Sequence, residues 1–121
     1  MYRFVVLHHE QSSDGEHWDL MLESDQVLTT WSLPPHSLPL ESFRSRARRL
    51  PDHRIAYLDY EGPVDGNRGT VRRIDTGTYD ILETNRFAFD GNVFSGTLSI
   101  EPTNGDDVWI TFEKGSIPVP G

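Results

Sequence analysis

A histidine and an aspartate two residues apart, His17 and Asp19, are the side chains best suited to bind a cation. On a β-strand, such residues project from one face, with their backbones about 6–7 Å apart. His9 approaches the same point if residues 2–9 and 17–23 pair as a hairpin. Two neutral imidazoles and a carboxylate hold a divalent cation and leave positions open, and Mn²⁺, Fe²⁺ and Zn²⁺ all suit these donors. The spacing therefore fits a metal site at His9, His17 and Asp19, and it equally fits ordinary polar side chains on a solvent-facing strand.

A second pair of reactive side chains, His53 and Tyr57, lies four residues apart. On an extended strand an even offset places both on one face, where they can bind a phosphate oxygen or protonate a leaving group. The same residues also fit a surface histidine beside a core tyrosine. A third arrangement combines His17, Asp19 and His53 into the triad of a non-haem iron oxygenase. The residues alone leave these arrangements open.

Arginine supplies ten of the eleven basic residues, and Lys114 is the lysine. Half of the arginines fall in one short stretch: Arg44, Arg46, Arg48, Arg49 and Arg54. Arginine makes bidentate contacts with phosphate, although such a stretch also fits a solvated helix face. The net charge of −8 argues against a protein that coats nucleic acid generally.

The length and composition predict a small protein without cysteine chemistry. The 121 residues suit one domain, 1–121, with a frayed tail at 117–121. The absence of cysteine excludes disulfides, thiolate metal sites and cysteine nucleophiles. No apolar run approaches the roughly 20 residues of a membrane span, and the start lacks the pattern of a signal peptide. We expect a soluble, cytoplasmic protein with no membrane partner.

Apolar residues recur mostly with period two, which is typical of strands. Strands are predicted at 2–9, 17–23, 26–32, 54–60, 70–75, 78–84, 93–100 and 107–113. Gly77, Asp90-Gly91 and Asn104-Gly105 are expected to separate the later strands. Residues 40–49 predict a short helix that ends before Pro51. The fold class is therefore mainly β: a small, closed or nearly closed antiparallel β-barrel with one or two short helices.

The two faces of residues 17–23 differ in polarity. Trp18, Leu20 and Leu22 share the apolar face, which we expect to join the core. The opposite face carries His17 and Asp19, and it is expected to line a groove or to face solvent.

Five segments in order along residues 4–79 resemble one known family. They are FVVLHH (4–9), HWDLMLE (17–23), Trp31 with Pro34 near it, DHRIAYLDYEG (52–62), and GTV followed by DTGTY (69–79). The family is the 3′-phosphoesterase domain of bacterial DNA ligase D, which also occurs as a stand-alone protein. Beyond residue 80 the resemblance extends only to the strand pattern.

The resemblance implies a β-barrel that uses Mn²⁺, or another divalent metal, to remove a 3′-phosphate or a 3′-terminal ribonucleoside from a primer strand. It implies that His9, His17 and Asp19 are the metal ligands. His53 and Tyr57 match the family pair that contacts the scissile phosphate and assists catalysis. The implied partners are the 3′ end of primer–template DNA or RNA-capped DNA, together with ligase or polymerase repair proteins.

The sequence departs from the family pattern near these residues. Met21 stands where the family has an arginine that contacts phosphate, and Pro51 replaces an acidic residue. Arg68, Arg72 and Arg73 are candidates to replace that arginine from another strand, and the predicted substrate-binding residues are Arg54, Arg68 and Arg72. The departures also support an alternative, a non-catalytic relative that binds nucleic-acid ends or a repair partner.

Overall fold

A computed structural model describes residues 1–10 and 15–115 of the chain, so the predicted tail at 117–121 lies outside the described residues. Its strands are β1 (Tyr2–Glu10), β2 (His17–Ser24), β3 (Val27–Leu33), β4 (Phe43–Arg54), β5 (Gly62–Pro63), β6 (Thr70–Glu83), β7 (Arg86–Gly91), β8 (Ser95–Pro102) and β9 (Asp107–Lys114). A 3₁₀ turn, Ile55–Leu58, joins β4 to β5. None of the helical structure in the described residues has the length and apolar character needed to cross a membrane.

Eight antiparallel strands close into a barrel. Their order is β1-β2-β3-β4-β9-β8-β7-β6, and β6 pairs back with β1. The two-residue strand β5 adds to the beginning of β6. Closure leaves these eight strands without a free sheet edge. The predicted mainly β fold class is confirmed.

The barrel interior holds an aromatic core built from the inward faces of the strands. Its most deeply buried rings are Phe4, Trp18, Phe89, Phe94 and Phe112. Phe4 and Phe89 stack with their ring centroids 4.5 Å apart. Leu20 and Leu22 join the same core, as the alternation in β2 predicts.

The helix predicted over residues 40–49 is wrong, because most of this segment belongs to β4. Ser45 and Ala47 are buried, and the intervening arginines are exposed, which is a period of two. β4 pairs with β3 on one side and with β9 on the other. A helix here would break the closed ladder, so the pairing outweighs the helical tendency of the isolated segment.

The strand predicted at 54–60 is also wrong, since Ile55–Leu58 forms the 3₁₀ turn. The predicted break at Gly77 does not occur, and β6 runs through it. A Cβ at Gly77 would lie 2.3 Å from the carbonyl oxygen of Asp90 and 2.9 Å from the Phe4 ring. Gly77 therefore permits a close approach of strands rather than a turn. The prediction also missed β7, which starts after a turn at Asn85.

Residues 53–63 cover part of the barrel's outer face. Beneath them lies a second apolar cluster formed by Val5, Leu7, Met21, Leu28, Leu58 and Val71. The outer face of β2 is thus neither fully polar nor fully open, because Met21 is only 1% exposed. This covered patch lies next to the predicted metal ligands on the same face.

Candidate metal centre

The three predicted ligands come together where β1 ends and β2 begins. His9 and His17 are directly opposite each other in the antiparallel pairing of the two strands. Asp19 lies two residues further along β2, so it projects from the same face as His17. The hairpin register expected from the sequence therefore brings two imidazoles and one carboxylate to a single point.

One potential donor atom from each of His9, His17 and Asp19 lies within 4.8 Å of the others. His17 Nδ1 lies 2.8 Å from Asp19 Oδ1, and His9 Nδ1 lies 3.5 Å from Asp19 Oδ2. The two imidazole rings meet edge to face, with centroids 4.8 Å apart. The grouping has the size and donor types of a three-ligand site for a divalent cation.

The burial of Asp19 bears directly on whether a cation fits. The residue is 2% exposed. In the part of the chain that the structure describes, Oδ1 has no hydrogen-bond partner in suitable geometry. A buried carboxylate is costly unless its oxygens are bonded or its charge is balanced. A cation among the three side chains would balance that charge, so the residues present fit a metal ion.

The backbone of a neighbouring loop orients His9. Nε2 of His9 hydrogen-bonds to the carbonyl oxygen of Arg68. A carbonyl only accepts hydrogen bonds, so Nε2 carries the proton and the lone pair lies on Nδ1. Nδ1 is the ring atom that faces Asp19. A bond of this kind sets the tautomer and ring orientation of metal-binding histidines.

The structure joins His53 to Tyr57, and it offsets the His53 backbone along the sheet from Asp19, while Tyr57 packs against the cluster that contains Met21. The rings lie edge to face with centroids 5.6 Å apart, although Tyr57 belongs to the 3₁₀ turn. His53 pairs with Leu28, which pairs with Glu23, four residues along β2 from Asp19. That offset corresponds to about 13 Å along the strand. His53 therefore does not join His17 and Asp19 in a triad.

The predicted substrate-binding arginines lie in different surroundings. Arg54 lines a cleft beside Tyr57. Arg68 donates from Nε to the carbonyl oxygen of Asp65, in the loop that holds His9. Arg72 contacts His8 and Glu10, which project from the opposite face of β1 from His9. Of the three, Arg72 is thus on the side of the sheet away from the candidate ligands.

Two arginines line a groove beside His17, Arg46 and Arg48, and neither is among the predicted substrate-binding arginines. The groove has a volume of about 460 Å³ and also includes Ser32. Ser32 lies between Asp19 and Arg48 in the strand pairing, which puts Arg48 two strand spacings, about 10 Å, from Asp19. The sequence analysis named these arginines as possible phosphate contacts, but it assigned the segment to a helix and so did not predict which of them face this groove.

Residues 7–115 match the family described as the DNA ligase D 3′-phosphoesterase domain. The chain belongs to this family. It is 32% identical over 117 residues to the multifunctional non-homologous end joining protein LigD of Mycobacterium bovis. That match covers 85% of this chain and 15% of the relative.

The Mycobacterium tuberculosis multifunctional non-homologous end joining DNA repair protein LigD matches to the same extent, with 32% identity over 117 residues. The Pseudomonas aeruginosa multifunctional non-homologous end joining protein LigD is 28% identical over 116 residues, covering 86% of this chain and 14% of the relative. The chain therefore spans about one seventh of these relatives' length. These relatives are named for non-homologous end joining, and the Mycobacterium tuberculosis protein is also named for DNA repair.

Met21 stands where the family pattern has an arginine, so its surroundings bear on how the candidate centre contacts phosphate. Met21 is opposite Val5 on one side and Thr30 on the other, and it packs in the cluster under the 3₁₀ turn. The side chain therefore completes a small apolar core beside the candidate ligands. Any arginine that serves the centre must come from another strand.

Proposed function

We propose that the chain is a metal-dependent phosphoesterase that removes a 3′-phosphate, a 3′-terminal ribonucleoside, or both, from DNA ends. The observation that carries this proposal is the convergence of His9, His17 and the buried Asp19 in a member of the 3′-phosphoesterase family. Mn²⁺ is the first cation to test, and other divalent ions suit the same donors.

Asp19 and His9 have distinct roles in this proposal. A divalent cation, when bound, polarises a phosphate oxygen and acidifies a water. Asp19 supplies the negative charge that retains the cation, and the Arg68 carbonyl keeps the Nδ1 lone pair of His9 directed inward. The hairpin between β1 and β2 holds the ligands before substrate arrives, so little reorganisation is needed on binding.

The groove beside His17 is the proposed path of the substrate's phosphates. Phosphoryl transfer requires neutralisation of the charge on the phosphate oxygens. Arg48 lies in the same row of the sheet as Asp19 and can donate to such oxygens from across Ser32. Arg46 is 3.3 Å from Asp107, so its guanidinium exchanges one anionic partner for another when phosphate binds.

In this proposal His53 and Tyr57 contact the DNA strand beyond the reacting phosphate. His53 Nδ1 donates to the Pro51 carbonyl, which leaves Nε2 as an acceptor in the neutral ring. The offset of the His53 backbone from Asp19 along the sheet favours positioning of the substrate by His53 over direct attack. Their roles in catalysis remain predictions from the family resemblance.

A turnover assay tests the proposed function directly. The substrates are 5′-labelled primer–templates that end in a 3′-phosphate or in a single ribonucleotide, incubated with Mn²⁺ or with a chelator. We expect a 3′-hydroxyl product that depends on Mn²⁺ and is lost in His17→Ala. His8→Ala is the matched control, because His8 is adjacent to His9 but faces Glu16 and Arg72 on the other side of the sheet.

Direct measurement of Mn²⁺ binding separates the metal site from the activity. We expect His17→Ala to weaken binding and His8→Ala to leave it unchanged. Equal binding by both variants and the parent protein would reject His17 as a ligand.

A second function, binding of DNA ends without turnover, is favoured by one observation, the burial of Met21 where the family has an arginine. Loss of a donor to a transition-state phosphate typically costs about 2.7–4 kcal/mol, or two to three orders of magnitude in rate. Metal binding and end binding without any product would support this function. The partners would again be 3′ ends of primer–template or RNA-capped DNA and, in a repair complex, a ligase or polymerase.

A further inference from the structure

A separate cleft lies on the outer face of the barrel, beside the 3₁₀ turn. Its volume is about 190 Å³. It is lined by Arg54, Ala56, Tyr57, Tyr60, Pro63 and Asp65. We call it the tyrosine cleft, and no candidate metal ligand lines it.

The two tyrosines form a rigid corner. Their rings meet at 83° with centroids 5.6 Å apart, so the face of one ring meets the edge of the other. The Tyr60 hydroxyl donates to the Pro63 carbonyl, and it lies 3.1 Å from the position a Cβ would take on Gly62. Tyr60 is still 37% exposed. A fixed, partly exposed ring is a suitable surface for a flat molecule to stack on, because little side-chain entropy is lost.

The charged side chains of the cleft have opposite signs. Arg54 has no hydrogen bond or ion pair from its side chain to any residue within 1–10 and 15–115, whereas Arg49 nearby is held by Asp52 at 2.9 Å. Asp65 provides an acceptor at the same cleft. The donors, the acceptor and the aromatic faces of the cleft together match a neutral heteroaromatic ring that carries both hydrogen-bond acceptors and donors. A nucleobase has this chemistry.

The strand pairing connects the tyrosine cleft to the candidate metal centre. Gly62 pairs with Val71, which pairs with His9, so the backbones of Gly62 and His9 are two strand spacings, about 10 Å, apart. The loop that follows Pro63 returns to His9 through the carbonyl of Arg68. One short loop therefore contributes to both sites.

We propose that the tyrosine cleft binds a nucleobase in the last two nucleotides of the strand whose 3′ end occupies the metal centre. The inference rests on the proposed function and adds to it a contact to the base. Recognition would combine stacking on Tyr60 with hydrogen bonds from Arg54 and to Asp65. Since every base has an aromatic face, the cleft senses the presence of a base more strongly than its identity.

The test uses primer–templates with a 3′-phosphate in which 2-aminopurine replaces the last or the second-last base. Fluorescence is followed on titration with the full chain, in Mn²⁺ and in chelator. We expect quenching at one of these positions. We also expect an abasic residue at that position to weaken binding at least about fivefold, the lower end of measured stacking effects.

Tyr60→Phe and Tyr60→Ala form the matched pair of variants. Phenylalanine keeps the aromatic face, so quenching and base dependence should persist. Alanine removes the face, so quenching should be lost and the difference in affinity between the normal and abasic substrates should shrink to the part contributed by Arg54 and Asp65. Arg54→Gln provides a second variant that leaves Tyr60 in place, and it should weaken binding of the normal substrate more than of the abasic one. Thermal unfolding of each variant reports whether the fold is retained.

The outcomes separate this inference from the proposed function. A Mn²⁺-dependent product without base-dependent quenching, or with quenching unchanged in Tyr60→Ala, would overturn the base contact and leave the phosphoesterase intact. Quenching that requires Tyr60 without any product would support the base contact and reject the catalytic proposal. Absence of quenching at both positions would overturn the inference, whether or not product forms.

Discussion

Asp19 and Asp75 are both buried, with exposures of 2% and 3%, but different groups surround their carboxylates. Asp75 lies in β6, and its oxygens accept hydrogen bonds of 2.7–3.0 Å from the backbone amides of Thr76, Asn92, Val93 and Phe94. Asp19 instead faces the imidazoles of His9 and His17. One of its oxygens receives no hydrogen bond from the described residues.

The difference predicts which carboxylate stabilises the fold and which one serves the proposed metal centre. Backbone amides that converge on a carboxylate stabilise its charge with fixed dipoles, so Asp75 pins the segment between β7 and β8 to β6. The groups nearest the Asp19 oxygens are instead imidazole nitrogens, His17 Nδ1 at 2.8 Å and His9 Nδ1 at 3.5 Å. The contrast predicts that loss of Asp75 affects stability, whereas loss of Asp19 affects metal binding and turnover.

The largest expected effect is on turnover in Asp19→Asn. Removal of a charged metal ligand should reduce kcat/KM about 1,000-fold, because a bound metal contributes several kcal/mol to transition-state stabilisation. The stability of the metal-free variant should not fall, since the substitution removes a poorly bonded buried charge. Steady-state kinetics and urea unfolding in chelator measure the two effects. Asp80→Asn, at an exposed position, is the control, and a large loss of metal-free stability in Asp19→Asn would contradict the comparison.

Asp75→Asn should lower the free energy of unfolding by about 3 kcal/mol. The amide retains one acceptor oxygen, but its NH₂ group faces amides that were donating to the carboxylate, which leaves buried donors unsatisfied. Urea denaturation measures the loss. Turnover per folded molecule, assayed well below the unfolding midpoint, should stay close to that of the parent protein. A loss below about 1 kcal/mol would show that these four hydrogen bonds contribute less than this class of bond usually does.

Met21→Arg should destabilise the fold by about 2 kcal/mol, because a charged side chain replaces a buried one in an apolar cluster. Met21→Leu is the control and should cost less than about 1.5 kcal/mol. Urea denaturation ranks the two variants. If Met21→Arg instead increases turnover, position 21 reaches the substrate phosphate, and the lost arginine is what limits the centre.

His36→Phe should have the smallest effect, confined to the pH dependence of stability. Burial lowers the pKa of His36 below its ordinary value of 6.5. Between the folded pKa and 6.5 the unfolded chain therefore binds more protons, so stability is fully present above about pH 6.5 and declines as pH falls through this window. Phenylalanine preserves stacking on Phe43 without titrating, and it should flatten this part of the profile. Thermal unfolding from pH 5 to 8 measures it, and an unchanged slope would argue against burial of His36.

Local pattern was sufficient for the hairpin that carries the candidate centre. Alternation in β1 and β2 put His9, His17 and Asp19 on one face, and that prediction needed only strand geometry and one short connection. The ordered segments of residues 4–79 likewise predicted the family, which the match over residues 7–115 confirms. Which face of a strand a residue occupies depends on its neighbours in the chain, so this feature can be predicted from a single sequence.

Other features depended on which strands meet. The segment around Arg46 becomes a strand because β3 and β9 lie on either side of it, and its isolated composition favoured a helix. The same long-range pairing places Arg48 in the row of Asp19 and moves His53 four residues away from it. Register between distant strands cannot be inferred from local alternation, because a shift of two residues preserves every face.

The fold class, the family and the three candidate ligands on neighbouring strands were therefore predictable from the amino-acid sequence. Tertiary structure decided that Asp75 is bonded by four amides while an oxygen of Asp19 receives none, and that Met21 is covered by the 3₁₀ turn. The physical reason is that burial and hydrogen-bond partners are properties of the packed chain. Two aspartates of identical chemistry acquire different roles only through the groups that surround them.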